Sequence, residues 1–108
     1  MSALIRPSPA LAAICRRFHV RRLDLFGSAA TGHFDPTESD LDFLVAFEES
    51  LPPGEYAEAY FGLKDALETL FGRSVDLLTE PALENPYLRR RIQAEKRTLY
   101  PVAQRDAR

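Results

Sequence analysis

Asp40 and Asp42 stand two positions apart at the head of an apolar run, Leu41 to Phe47. If that run is a strand, its side chains alternate between faces, and the two carboxylates project from the same face about 7 Å apart along the chain. Carboxylates held together with no basic neighbour in sequence repel one another unless a cation or a proton intervenes. The pair is therefore a candidate site for a hard divalent metal. Upstream, the run Val20 to Phe26 ends at Gly27-Ser28, a small-residue turn whose main-chain N–H groups and hydroxyl suit a phosphate. A further aspartate, Asp76, lies inside the run Ser74 to Thr79, where strand propensity disfavours it. It is either a solvated residue of an edge strand or a third carboxylate beside Asp40 and Asp42, and the strand order decides between these. Three such acids around one or two Mg²⁺ ions would hold a nucleoside triphosphate by its phosphates. They would also stabilise the attacking and leaving oxygens of an in-line displacement. The chain has no G-x-x-x-x-G-K-[ST] sequence, so this is not a Walker loop.

The elements that must position these residues follow from periodicity. Ser8-Pro9 reads as an N-cap followed by proline at the first helical position. Leu11, Ile14, Cys15 and Phe18 then recur at helical spacing to about His19. Val20–Phe26 alternates as a strand, Ala29–Thr31 suggests one helical turn stopped by Gly32, and 33–39 is a loop with a turn at Asp35-Pro36-Thr37. The second strand, 40–47, has Leu41, Phe43, Val45 and Phe47 on one face and Leu44 and Ala46 beside the carboxylates on the other. Both faces are apolar past the first turn, which predicts a central strand covered on two sides. Pro52-Pro53 marks a linker. A helix from about Glu55 to Phe71 follows, with Tyr56, Tyr60, Leu63, Leu67 and Leu70 on one stripe and Gly72 as its stop. Asn85-Pro86 caps a last helix, about Tyr87 to Lys96, with few apolar positions (Leu88, Ile92), around which Arg89, Arg90 and Arg91 wrap as solvated residues. Thr98-Leu99-Tyr100 is expected to add a short edge strand. Residues 1–7 are expected to be a loose arm and 102–108 a disordered tail, the whole of 1–108 making one domain.

Composition narrows the function. The chain of 108 residues has 45% hydrophobic and 28% charged residues and a net charge of −2. Those are the proportions of a soluble globular protein with no global electrostatic pull toward nucleic acid or an anionic membrane. The single cysteine, Cys15, excludes an internal disulfide, and no stretch approaches the roughly 20 apolar residues of a spanning helix. A cytoplasmic location is expected. On the helical stripe Cys15 reads as core packing rather than chemistry. Arg16, Arg17, Arg21 and Arg22 form a small basic cluster, either a solvated helix end with favourable dipole placement or a contact for phosphate or an acidic partner. Phe61 lies opposite its helix's apolar stripe among Glu58, Asp65 and Glu68. It is either an isolated exposed apolar residue or part of a partner surface.

Three segments carry a family likeness: Leu25-Phe26-Gly27-Ser28, then Ser39-Asp40-Leu41-Asp42-Phe43-Leu44-Val45, then Val75-Asp76-Leu77. In that order the chain resembles the polymerase-β-like nucleotidyltransferases, and within them the small minimal nucleotidyltransferase (MNT) group. Asn85-Pro86-Tyr87-Leu88 followed by Ile92 is similar to that group's closing helix. The likeness spans roughly 8–100. It implies an α+β fold with a small mixed β-sheet flanked by helices, a phosphate turn at Gly27 and Ser28, and Mg²⁺ held by Asp40, Asp42 and Asp76 as catalytic carboxylates. The implied activity is transfer of a nucleoside monophosphate, usually AMP from ATP, with release of pyrophosphate. The implied partner is a HEPN-type ribonuclease toxin, neutralised as in HEPN/MNT toxin–antitoxin pairs by adenylylation of one of its tyrosines. With no residues left over for a second, acceptor-binding domain, the acceptor is expected to arrive on that partner; an oligomer of the chain itself is left open. One departure stands out. Family members often carry arginine where this chain has Thr31, and a lost arginine near phosphate removes a charge-assisted contact of about 1.5–3 kcal/mol. His33 is the nearest substitute in sequence. The alternative is a catalytically weak or inactive antitoxin that acts by binding, with Phe61 a candidate contact.

Overall fold

The structure is a computed structural model that describes residues 5–27, 30 and 40–101. Ser28, Thr31, His33 and the expected turn at Asp35-Pro36-Thr37 lie outside the described residues, as does the tail over 102–108.

Ser8 caps helix α1 (Pro9–Arg17), its hydroxyl accepting from the Leu11 N–H, and Pro9 opens the first turn, where its missing N–H costs nothing. Strands β1 (Val20–Phe26) and β2 (Leu41–Phe47) pair antiparallel. A short 3-10 turn at Pro53–Glu55 leads into helix α2 (Tyr56–Phe71), which stops at Gly72 in the left-handed conformation. Strand β3 (Val75–Thr79) pairs parallel with β2. Helix α3 (Pro86–Glu95) starts on Asn85, whose side chain accepts from the N–H groups of Tyr87 and Leu88. After one residue, Lys96, strand β4 (Arg97–Tyr100) pairs antiparallel with β1. The sheet order is β3-β2-β1-β4. β2 is thus an inner strand, and its faces are apolar for the expected reason. Leu41, Phe43 and Val45 are buried in one cluster, and Leu44 in a second cluster on the opposite face. The fold is α+β, a small mixed sheet with helices on both faces.

The larger cluster joins α1 and α2 to one face of the sheet through Leu11, Cys15, Leu23, Leu25, Leu63 and Leu67. The smaller one joins Ile92 of α3 to Phe26 and Leu44, with Leu78 and Leu88 packed against it. Cys15 is fully buried, and burial pushes its thiol up to about 12, so it packs rather than reacts.

Two expectations need correcting. The buried side of α2 is Ala59, Leu63 and Leu67, with Tyr60 and Phe71 flanking, whereas Tyr56 and Leu70 are exposed. The stripe is turned because α2 also faces α1. At Gly62 a Cβ would come within 2.5 Å of the Phe18 ring, a crossing that small residues permit. The arm over 1–7 is not loose at Ile5, which is buried in the larger cluster and whose carbonyl accepts from Arg97 at 3.5 Å.

Candidate active site

The carboxylates meet where strand register requires. Asp42 is the register partner of Asp76 on β3 and of Phe26 on β1. Neighbouring strands lie about 4.8 Å apart, so the two acids stand side by side on one face of the sheet. That face is the one covered by α3, since Leu44 and Leu78, two positions on in each strand, pack against Ile92. β3 is an edge strand, and Asp76 is exposed on it while standing in register with Asp42. Asp40 is exposed, immediately before β2. Among the described residues no group of three or more His, Cys, Asp or Glu side chains is gathered closely enough to hold a metal ion as it stands. Asp76 and Asp40 nonetheless act on Asp42 through their fields. Partial burial first, then these like charges, hold the Asp42 carboxyl above its ordinary value, with Arg91 opposing the shift.

Gly27 closes the site from the β1 side. It has φ +76°, a conformation that L side chains rarely adopt, and a Cβ there would overlap the Asp42 carboxylate. Only glycine lets the turn lie against that carboxylate. This cradle and the all-oxygen, all-acidic donor set suit a hard cation such as Mg²⁺, which takes few carboxylates and completes its shell with water and phosphate oxygens.

Two residues of the site were hidden by their context in sequence. Glu95, the last residue of α3, accepts the Gly27 N–H at 3.2 Å. The same carboxylate oxygen faces Arg91 Nε at 3.4 Å. In sequence Arg91 is one of three consecutive arginines and Glu95 one of many surface acids. The signal was the single-residue connection at Lys96. Because Arg97 pairs with Leu25, the end of α3 must sit level with the turn that follows Phe26. Asp24 was also missed. It is 2% exposed, and its carboxylate accepts from Thr98 Oγ1 at 2.6 Å and from Arg22 Nε at 3.1 Å. The basic cluster disperses accordingly: Arg22 serves Asp24, Arg21 pairs with Glu80 at 3.0 Å, and Arg16 and Arg17 lie in the last turn of α1.

A second concavity, of about 460 Å³, lies between α2 and the far end of β3, lined by Tyr56, Tyr60, Phe61, Leu77, Leu78 and Thr79. Phe61 is 64% exposed and meets Tyr60 edge to face.

The nucleotidyltransferase domain family matches residues 9–99. The chain belongs to that family, and it is a nucleotidyltransferase. Within the family it is similar to a Methanocaldococcus jannaschii protein provisionally named a protein adenylyltransferase, 37% identical over 79 residues, which are 73% of this chain and 76% of the relative. A second such protein of the same organism is 34% identical over the same span. Among solved structures the chain resembles one described provisionally as a minimal nucleotidyltransferase, with 39% identity, TM-score 0.66, and coverage of 82% of this chain and 84% of the other. The fold also recurs, at 22% identity and TM-score 0.62, in a toxin–antitoxin structure with AMP-PNP, covering 91% of this chain and 76% of that one. It recurs again at 20% identity and TM-score 0.54 in a tri-AMPylated Shewanella oneidensis HEPN toxin complexed with its MNT antitoxin, covering 88% and 70%.

Proposed function

We propose that this chain is a Mg²⁺-dependent protein adenylyltransferase that moves AMP from ATP onto a tyrosine of a HEPN-type toxin and so acts as its antitoxin. On this reading residues 1–108 form one catalytic domain working in the cytoplasm. The observation that carries the reading is the register pairing of Asp42 with Asp76 beside the Gly27 turn. The provisional naming of relatives as protein adenylyltransferases and the toxin–antitoxin setting of structural neighbours support the acceptor class. Asp40, Asp42 and Asp76 would hold Mg²⁺, which when bound neutralises phosphate charge and stabilises the entering and leaving oxygens. The Gly27 N–H and the Ser28 hydroxyl would hold the terminal phosphates. Asp76, at the exposed edge of the site, orients the acceptor hydroxyl and takes its proton. The hydroxyl oxygen bonds to the α-phosphorus, the bond from that phosphorus to its β-bridging oxygen breaks, and pyrophosphate leaves.

The test is incubation of the protein with the toxin, Mg²⁺ and α-labelled ATP. Label should reach the toxin with wild type and not with Asp42→Asn; equal labelling by both would end the catalytic reading. A second reading is favoured by the exposed Phe61 at the apolar concavity: neutralisation by binding alone. In the same reactions without nucleotide, toxin that stays inhibited by wild type but recovers with Phe61→Ala would select it.

A further inference from the structure

The carboxylate end of the sheet is an unfavourable place for a polyphosphate. Asp40, Asp42, Asp76 and Glu95 bring four negative charges to it, and Arg91, paired with Glu95 at 3.4 Å, brings a positive one. Arg91 reaches the site because Ile92, 1% exposed, pins α3 to the sheet. The single-residue link to β4 then fixes the helix end against the turn. Glu95 binds two groups there at once, the Gly27 N–H at 3.2 Å and Arg91 Nε at 3.4 Å. A main-chain N–H of the turn and a guanidinium are also the donors that a phosphate oxygen would take up best.

We propose that Arg91 is a triphosphate-binding residue of this site and that Glu95 is a built-in competitor, which an incoming phosphate must displace from both Arg91 and the Gly27 N–H. The inference rests on the nucleotidyltransferase reading and adds to it a phosphate contact on α3, distant in sequence from the turn. The side chains suit the exchange. Arg91 is 55% exposed with only Nε engaged by Glu95, and Glu95 is held by two donors but lies in the field of Asp42. A phosphate chain carries more charge than one carboxylate and satisfies both donors together.

The test is equilibrium binding of ATP, ADP and AMP with Mg²⁺ by calorimetry, on the full chain. One charge-assisted contact corresponds to about a tenfold change in affinity. Arg91→Met should weaken ATP about tenfold and AMP much less, Arg91→Lys should restore most of the loss, and Glu95→Gln should tighten ATP several-fold. The Gly27 amide resonance should shift both in Glu95→Gln and in wild type on adding ATP. If wild type binds ATP but Arg91→Met binds it equally well, or Glu95→Gln weakens it, the inference is overturned while the nucleotidyltransferase reading stands. If wild type binds no nucleotide, both fall.

Discussion

At the scale of single residues, Asp42 shows the conflict between a site and the fold that carries it. Its carboxyl lies above the ordinary value because burial and the neighbouring acids disfavour the charged form. The folded state therefore binds this proton more tightly than the unfolded chain does. Any stabilisation from that proton is complete below the ordinary aspartate value of 3.8 and is lost as pH rises through the raised one. Near neutrality the ionised group is a net cost to the folded state. Asp42→Asn should accordingly melt at a higher temperature than wild type at pH 7, with the gain fading as pH falls through the raised value toward 3.8. A gain that grows on acidification, or none at pH 7, contradicts this account. The nearness of Asp40 to Asp42 was legible in sequence from their two-residue spacing, although the strand begins only at Leu41. Burial and the company of Arg91 and Glu95 were not, since both depend on which helix covers that face.

Among the elements, β4 has the least of its own to hold it, with four residues at a sheet edge. It is tied in by Leu99, 2% exposed, and by the bond from Thr98 to the buried Asp24. Arg22 completes that small network, with Nη2 on Thr98 Oγ1 at 3.1 Å. Thr98→Val keeps the shape but removes a donor from a buried carboxylate, so it should cost about 1–3 kcal/mol in urea unfolding. A change within about 0.5 kcal/mol, ordinary for surface sites, would mean that the network does not hold the strand. The alternation of VRRLDLF revealed β1 but disguised Asp24, which looks in sequence like a polar position on a half-solvated strand. Similarly, helical periodicity located α2 but misjudged its buried side. Ala59 and Gly62 are small rather than apolar-large, and their role is set by α1 crossing nearby.

For the whole molecule, the two sides of the sheet are unequally supported. One side has a broad cluster shared by α1 and α2, while α3 is held by Ile92 and Leu88 over Phe26, Leu44 and Leu78. Sub-global opening should begin where buried apolar contact is scarcest. In native-state hydrogen exchange the α3 amides should therefore exchange faster than those in the middle of α1 and α2. Ile92→Ala, a loss of about 2–5 kcal/mol by burial, should speed α3 further before the other helices respond. Uniform exchange across the three helices would refute this division. Strand order, which brings Asp76 to Asp42, is likewise a property of the whole molecule. The parallel pairing of β2 with β3 depends on α2 crossing over one face, and no local pattern in Ser74–Thr79 encodes it.

β3 has a further consequence for assembly. The Leu41 N–H bonds to the Ser74 carbonyl, so Ser74 faces β2, and the alternate residues Val75 and Leu77 turn main-chain groups outward. Two of these are already engaged from α2. Glu68 accepts the Val75 N–H at 2.9 Å, which with Lys64 holds that carboxyl below its ordinary value. The Tyr60 hydroxyl donates to the Leu77 carbonyl at 2.5 Å. An edge dressed in this way offers a poor template for another strand. Whatever docks beside it must recognise shape and side chains rather than continue the sheet, and accidental edge-to-edge polymerisation is disfavoured by the same two bonds.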